Sequence, residues 1–254
     1  MRIDRTFDFR SEITPGTDPD KYSKTLLQYH KKLWSKSLPT GGHFSLSDTV
    51  PGKYLFHSSP SGEFSLSSDS IAHSYIKVKR MQSVIGLLSD ERKETIRRAL
   101  NTIGGYTVFP SNRINQKPTI NGARGLNARI FDRFDLTLEC IQRHYLGVES
   151  PLSGDLIRYA DFFALFRDFQ GYVEFFLLQD LVVQDFSAVK YFLPFDDSFP
   201  AKPLPESMDV YNAYIDRTIE FVEARGLRMI QGHALIGDYE AVLDSSETAT
   251  ANEG

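Results

Sequence analysis

The chain has 254 residues and a formal net charge of −4 at pH 7. This length allows one large domain or two small ones, and hydrophobic residues, at 41% of the chain, are sufficient for a well-filled core. The slight acidic excess argues against a protein that coats nucleic acid through a basic surface, although it does not exclude a local basic groove.

The number of cysteines and the length of the apolar segments indicate where in the cell the protein is expected. Cys140 is the single cysteine, so no disulfide can form within the chain, which fits a reducing compartment. The first sixteen residues include no apolar run typical of a secretory signal. The most apolar run, residues 172–183, is too short to cross a bilayer. We therefore expect a cytoplasmic protein that does not bind membranes.

The first quarter of the chain predicts an arm, a helix and a hairpin. Residues 1–20 are polar and form the predicted N-terminal arm, which Phe7 and Phe9 would hold in place. Apolar residues recur at helical spacing in residues 21–35. Two short runs that meet at Pro60-Ser61-Gly62 predict an antiparallel hairpin, with strands at residues 53–57 and 63–67.

The middle of the chain predicts three helices and one strand. Ser68-Asp69-Ser70 is typical of a helix start and predicts a helix that runs to about residue 88. A second helix is expected at residues 91–103 and a strand at 106–109. The most regular pattern predicts one long amphipathic helix at residues 125–145.

The last third of the chain is rich in phenylalanine. A helix is predicted at residues 155–169. Residues 172–183 fit a buried helix or a buried strand, and their leucine and glutamine favour the helix. A strand is predicted at residues 188–195 and a final helix at 208–225. Residues 232–254 are polar and predict a disordered tail.

Together these elements predict an α+β fold in which helices are in the majority and pack on a small antiparallel sheet. We expect one globular domain at residues 21–231, with the arm at 1–20 and the tail at 232–254.

In several long segments, the sequence resembles an uncharacterised, phage-associated bacterial family of hypothetical proteins. The resemblance covers roughly residues 5–230 and implies a prokaryotic or phage-related origin and one domain, without any known activity. The segments that carry the resemblance are Phe109-Pro110-Ser111-Asn112, Thr119-Ile120-Asn121-Gly122-Ala123-Arg124-Gly125 and Asp132-Arg133-Phe134-Asp135-Leu136-Thr137-Leu138-Glu139-Cys140.

A polar loop before the long helix is the first candidate site. Backbone N–H groups near glycines at a helix start can bind an anion, and an arginine can hold phosphate through two parallel hydrogen bonds. This predicts a phosphate or nucleotide pocket. The alternative is a structural loop in which the asparagine side chains form hydrogen bonds with the backbone of the turns. The candidate ligands are Ser111, Asn112, Arg113, Asn121 and Arg124.

Carboxylates supply the candidate acid or base. Asp132, Asp135 and Glu139 share one predicted helix face, where they would bind Mg²⁺ or act as a general base. The alternative is an exposed face on which arginines neutralise them. Glu174 lies in an apolar run, so it would be either a buried acid with a raised pKa or part of a structural ion pair.

His57 is the third candidate. A histidine on a first strand followed by a serine-rich second strand resembles ADP-ribosyltransferases, in which such residues hold NAD and a late glutamate, here Glu174, completes the set. The separation of His57 from Ser65 is shorter than in that family, and the alternative is a structural hairpin. The scattered histidines do not predict a zinc site.

The leading hypothesis is an enzyme that acts on a phosphorylated or nucleotide-type ligand, with Asp135, Glu139 or Glu174 as acid or base. The alternatives are a non-catalytic protein that binds a protein partner in a mobile-element or defence context, and an NAD-dependent transferase that uses His57. Mg²⁺ and NAD are the cofactors that the sequence leaves open.

Overall fold

A computed structural model describes residues 1–196 and 198–250, with side chains through residue 231. Its sheet has three antiparallel strands in the order β1-β2-β3: Leu55–Ser59, Gly62–Ser70 and Tyr106–Pro110. Helices α1 to α10 are Pro19–Tyr22, Lys24–Trp34, Gln82–Ile85, Asp90–Leu100, Ile120–Leu126, Phe134–Leu146, Ser153–Leu156, Ala160–Ala164, Phe169–Phe175 and Met208–Thr250. The predicted α+β fold with a helical majority is confirmed.

Capping residues explain where several helices begin and end. The side chains of Ser23, Ser89 and Thr119 each accept a backbone N–H in the first turn of α2, α4 and α5. Helix α6 ends at Gly147, whose φ of 67° is the left-handed conformation that glycine adopts without steric cost. These capping residues therefore set the ends of the helices through contacts within a few residues along the chain.

The buried hydrophobic side chains form one core cluster that extends from Ile3 to Met229. Phe9, in the N-terminal arm, is fully buried, and its ring packs edge-on against Tyr29 and Tyr106. The arm is thus attached to the core at Phe9. The predicted division into arm, domain and tail stays a prediction, and residues 232–254 lie beyond the last described side chain.

The predicted helix after Ser68-Asp69-Ser70 is wrong at its start. These three residues are the end of β2, where Asp69 is opposite Thr107 and Ser70 is opposite Tyr106 on β3. Pairing with β3 satisfies their backbone groups, so the local capping preference is overridden. The helical part of this region is short, and α3 begins only at Gln82.

The predicted helix at residues 125–145 is two helices, α5 and α6, joined by a turn. Phe131 and Asp132 in that turn have φ values of 45° and 61°. A left-handed backbone cannot continue an α-helix, so the chain changes direction here. The predicted strand at residues 188–195 is reduced to a single bridge between Val182 and Val189.

Candidate functional site

A cleft separates the N-terminal arm from the ends of β2 and β3. The part beside α5, called the inner cavity for its position next to Asn121 and Gly122, has a volume of about 530 Å³. The part beside residues 74–78, called the outer cavity, has a volume of about 790 Å³. Both cavities are open to solvent. The two parts adjoin, because both are lined by Pro19, His73, Asn101 and Asp132. Among the described residues, the inner lining has no lysine or arginine, and its polar side chains include Asp18, Asp20, His73, Asn101, Asn121 and Asp132.

Asp20 is placed in the cleft by the short helix α1. Asp18 caps this helix by accepting the backbone N–H of Asp20 at 3.1 Å. Asp20 Oδ1 accepts the Ser68 hydroxyl at 2.6 Å, which ties α1 to β2. Burial is the main cause that raises the pKa of Asp20 to about 6, and the Ser68 hydrogen bond acts in the opposite direction. Asp20 therefore exchanges its proton near neutral pH.

Asp69 is a second, more deeply buried carboxyl group, with 2% of its surface exposed. From the described residues it accepts one long hydrogen bond, from the Ser67 hydroxyl at 3.4 Å. Burial, and then the negative charge of Asp20, raise the pKa of Asp69 well above its usual range. Burial thus disfavours the charged form of Asp69 relative to an exposed aspartate.

Tyr54 has an incompletely satisfied hydroxyl near these two carboxyl groups. Its oxygen is buried and has no partner with good hydrogen-bond geometry among the described residues. Burial, together with the nearby charges of Asp20 and Asp69, raises the pKa of Tyr54. Orphaned buried hydroxyls are uncommon in proteins, so Tyr54 marks a place where the fold alone does not use all its polar groups.

Asp132 is held in its left-handed conformation by Arg124. The backbone N–H of Asp132 donates to the Arg124 carbonyl at 3.2 Å, and Arg124 Nη2 donates to the Asp132 carbonyl at 3.0 Å. Arg124 Nη1 lies 3.9 Å from Asp132 Oδ1. A non-glycine residue in this conformation is strained, and such strain is concentrated at functional sites. Arg124 thus positions Asp132 at the junction of the two cavities.

His73 lies on the same junction and is neutral at physiological pH. Its Nε2 lies 3.2 Å from the Ser70 carbonyl, so Nε2 carries the hydrogen. Burial lowers the pKa of His73 to about 4. The ring stacks on Tyr75 with a centroid distance of 6.0 Å, and Tyr75 is also left-handed, with a φ of 54°.

The residues predicted to bind phosphate are not brought together. Ser111, Asn112 and Arg113 follow β3 and line neither cavity, and the last two are exposed. The Asn112 carbonyl accepts the Tyr159 hydroxyl at 2.8 Å. Of the predicted set, Asn121 lines the inner cavity.

The guanidinium group of Arg124 is occupied by the fold. It is fully buried, and it donates to Asn121 Oδ1 at 3.0 Å and to the Ser70 carbonyl at 3.1 Å. Its Nε donates to Thr137 Oγ1 at 3.3 Å. Arg124 therefore lies beside the cleft as a support, and its use for phosphate stays a prediction.

Asp135 and Glu139, which were predicted to be catalytic, lie outside the cleft, whereas Asp132 lines it. Asp135 is fully buried, forms an ion pair with Arg133 and accepts the Phe192 backbone N–H at 2.9 Å. Glu139 accepts Arg143 Nε at 2.6 Å and the Tyr191 hydroxyl at 2.7 Å. These contacts fasten α6 to the chain after residue 190. Their catalytic role stays a prediction.

The expected burial of Glu174 is wrong. Glu174 is exposed and accepts Gln170 Nε2 at 2.8 Å, whereas its neighbours Val173 and Phe175 are buried. Residues 169–175 are a helix, α9, so one polar position of the apolar run faces solvent.

His57 is enclosed by aromatic rings. Its ring lies 4.4 Å from that of Phe44 and 6.2 Å from that of Phe64, measured between centroids. His57 Nδ1 donates to the Ser45 carbonyl at 3.0 Å, and its buried Nε2 has no partner among the described residues. Burial lowers the pKa of His57, and the side chain lines neither cavity. This environment favours the structural alternative for His57.

The described part of the chain was predicted to contain neither a zinc site nor a membrane span. No group of three or more histidine, cysteine, aspartate or glutamate side chains in this part of the chain is arranged to hold a metal ion. Within the same residues, no helix is both long enough and apolar enough to cross a membrane.

Sequence reasoning missed Asp18, Asp20, Asp69 and His73 as site residues. Asp18 and Asp20 fall in the polar segment predicted as an arm, Asp69 was assigned to a helix start, and Asp132 was grouped with Asp135 and Glu139 on one helix. The sequence did contain one signal for Asp69. This acidic residue lies next to a segment with the pattern of a buried strand, and an unpaired carboxylate in a buried position is energetically costly. No sequence pattern indicates the contact between the arm and β2.

Comparison with curated proteins and with solved structures found no match. A family model, by contrast, matches residues 3–229, which include every residue of the cleft. The expected bacterial and phage association stays a prediction. The match spans most of the chain, and the protein therefore belongs to DUF6994, a family of unknown function.

Proposed function

We propose that the cleft binds a small molecule with a positively charged group, such as a primary amine, and that Asp20 exchanges a proton with it. The observation that carries this proposal is the inner lining, in which Asp18, Asp20 and Asp132 are placed without a lysine or arginine among the described lining residues. Such a charge distribution in a concave, partly buried site favours a cation.

The neighbouring groups offset only part of this charge. His73 is neutral, since burial lowers its pKa to about 4. Arg124 keeps its positive charge and lies 3.9 Å from Asp132 Oδ1, so it offsets about one of the carboxylates. The three lining carboxylates against this one buried arginine leave an excess of negative charge beside the inner cavity.

Asp20 is suited to accept the proton. Its pKa of about 6 leaves Asp20 mainly ionised at neutral pH, so its carboxylate can pair with a bound ammonium group. The same pKa suits Asp20 to act as a general base toward a group of the bound amine that is more acidic than its ammonium. We therefore propose an enzyme that acts on an amine, with Asp20 as general base and Asp132 as the second anchor of the cation.

The outer cavity would accommodate the rest of the molecule. Its lining combines apolar surface from Tyr75, Ile76 and Phe131 with the arm residues Ile13 and Pro15. A ligand that fills both cavities is therefore extended, with its charged end in the inner cavity and a less polar part in the outer cavity.

A phosphorylated or nucleotide-type ligand is the second proposal, and the outer cavity favours it. Arg10, Lys77 and Arg97 line that part. Arg10 is already paired with Asp8 and Glu94, which weakens its attraction for an anion. We therefore rank the phosphorylated ligand below the amine.

NMR titration tests the proposal with three four-carbon probes of similar shape: butylammonium, butanol and butyrate. We expect butylammonium alone to shift the amide signals of Gly122 and Gly125 at the inner cavity. Asp132→Asn should weaken its binding by about tenfold, the effect of losing one charge-assisted hydrogen bond. The exposed Asp161, outside the cleft, provides the matched control Asp161→Asn, which should bind as the wild type does.

Inorganic phosphate, NAD and MgCl₂ complete the titration. Shifts at the outer cavity with phosphate or NAD, and none with butylammonium, would overturn the amine proposal in favour of the second one. If none of these probes causes a shift, both ligand proposals fail and the non-catalytic protein-binding hypothesis becomes the leading one.

A further inference from the structure

A chain of three hydrogen bonds connects the buried core to Asp20. Trp34 Nε1 donates to His30 Nδ1 at 3.0 Å, His30 Nε2 lies 2.9 Å from Ser68 Oγ, and Ser68 Oγ lies 2.6 Å from Asp20 Oδ1. Trp34, His30 and Ser68 are each at most 3% exposed. Water therefore does not compete for these bonds.

The direction of each bond follows from the indole. A tryptophan N–H can only donate, so His30 Nδ1 is an acceptor. Neutral His30 then carries its hydrogen on Nε2 and donates to Ser68, which leaves the Ser68 hydroxyl hydrogen for Asp20. Burial lowers the pKa of His30 to about 3, which agrees with a neutral ring.

The same direction excludes a nucleophilic serine. In a serine–histidine pair that performs acyl transfer, the histidine nitrogen facing the serine must accept its proton. Here His30 Nε2 is protonated and Ser68 Oγ accepts from it, so His30 cannot act as that base. The proximity of a serine, a histidine and an aspartate is consequently not a catalytic triad.

We infer that Trp34, His30 and Ser68 are positioning residues, which hold the Asp20 carboxylate in the cleft and keep it ionised by presenting one oriented hydroxyl hydrogen to it. This inference rests on the proposed role of Asp20 as the proton-exchanging group. Its mechanism is that a hydrogen bond donated to a carboxylate favours the charged form.

Other charged or titratable groups also face Asp20, and the inference must be separated from them. Asp18 lies on the same helix, Asp69 on β2 and Arg124 on α5, and Tyr54 and Tyr106 are near enough for Asp20 to affect their pKa values. Of these residues, Tyr54 is also affected by Ser68, whose hydroxyl lowers the pKa of Tyr54 against the larger effect of burial. Trp34→Phe acts two hydrogen bonds away from Asp20 and leaves Ser68 and all of these neighbours in place, so it separates the hydrogen-bond chain from them.

The decisive measurement is the pKa of Asp20 from carboxyl ¹³C NMR. In Ser68→Ala the charged form loses a hydrogen bond, so the pKa of Asp20 should rise by about one unit. In Trp34→Phe, His30 can change tautomer and accept the Ser68 hydrogen, so the pKa of Asp20 should also rise. Ser58→Ala, an exposed serine on β1, should leave it unchanged.

A purely structural role for these residues predicts an unchanged pKa of Asp20 in both variants, which would overturn the inference. If Trp34→Phe does not fold, the ¹⁵N shifts of His30 in the wild-type protein decide instead. A hydrogen on Nε2 supports the inference, and a hydrogen on Nδ1 overturns it. Butylammonium binding is measured separately. If the pKa of Asp20 shifts but butylammonium does not bind, the positioning role stands and the amine proposal fails.

Discussion

Gly125 lies against the carboxylate of Asp132. A Cβ atom placed on Gly125 would be 3.2 Å from both carboxylate oxygens. This spacing is tighter than an ordinary van der Waals contact, so a side chain at position 125 would require the carboxylate to shift by a few tenths of an ångström. The absence of a side chain at position 125 is thus part of the geometry that places Asp132 between the two cavities.

Gly125→Ala should displace the Asp132 carboxylate and weaken butylammonium binding about fivefold or more, as removal of a preorganised contact does. The change in the free energy of unfolding should stay within about 1 kcal/mol, because alanine has a better helix propensity than glycine. Gly154→Ala is the matched control, since a Cβ there meets no atom within 4 Å. Unchanged binding in Gly125→Ala would contradict the assigned role of Asp132.

Asp20→Asn should make stability less sensitive to pH. In the folded protein the pKa of Asp20 is about 6, against an ordinary value of 3.8. At pH 7 Asp20 is ionised in both states, so the folded state bears the cost of a buried charge. As the pH falls below 6 the folded state takes up a proton first, and the cost is lost by about pH 4.

Asparagine has no such cost and can still accept the Ser68 hydrogen bond. The variant should therefore gain most over the wild type at pH 7, by about 1.4 kcal/mol for each unit by which the pKa is raised, and the gain should shrink between pH 6 and 4. Urea unfolding at a series of pH values measures this difference. A difference that grows toward low pH would show that the pKa of Asp20 is not raised.

Arg225→Met should cost about 3 kcal/mol or more of unfolding free energy. Arg225 is fully buried, and it donates four hydrogen bonds to the carbonyls of Phe176, Gly104 and Tyr106. The substitution leaves three buried carbonyls without these donors. Arg98→Met, at an exposed position on α4, should change stability by less than about 0.5 kcal/mol. Equal effects in the two variants would rule out this role for Arg225.

Phe9→Ala should detach the N-terminal arm. Phe9 is fully buried, and such a truncation typically costs about 3–5 kcal/mol. We expect faster proteolysis within residues 1–18 together with loss of butylammonium binding, because the arm supplies Asp18 and Asp20. Tyr22→Ala, at a residue that is 62% exposed, is the control. Normal binding in Phe9→Ala would mean that the arm does not need this anchor to complete the cleft.

The fold class followed from local patterns, because the hairpin, the strand at residues 106–109 and the helix beginning near residue 90 each have their own start and stop signals. The errors arose where distant contacts decide the structure. Ser68-Asp69-Ser70 has the composition of a helix cap, but pairing with β3 extends the strand through it. The helix expected from residue 125 is interrupted at Phe131 and Asp132, where Arg124 stabilises the turn from both sides.

The candidate site was predictable only in part. Asn121 and Arg124 were predicted as phosphate ligands, and Asp132 was predicted as a metal ligand or base on a helix face. Asn121 and Asp132 line the cleft, and Arg124 lies beside it. Asp20 and Asp69 could not be assigned, because their importance comes from burial against each other. Their positions are separated by almost fifty residues, and no spacing rule connects an arm to a strand at that distance.

The attachment of Asp20 to the N-terminal arm links two properties of the cleft. The arm forms one wall of both cavities and carries Asp20, and Phe9 anchors the arm to the core. Any change that moved the arm would therefore displace Asp20 and widen the cleft together. Under the proposed function, the cleft would lose its wall and its base in the same event.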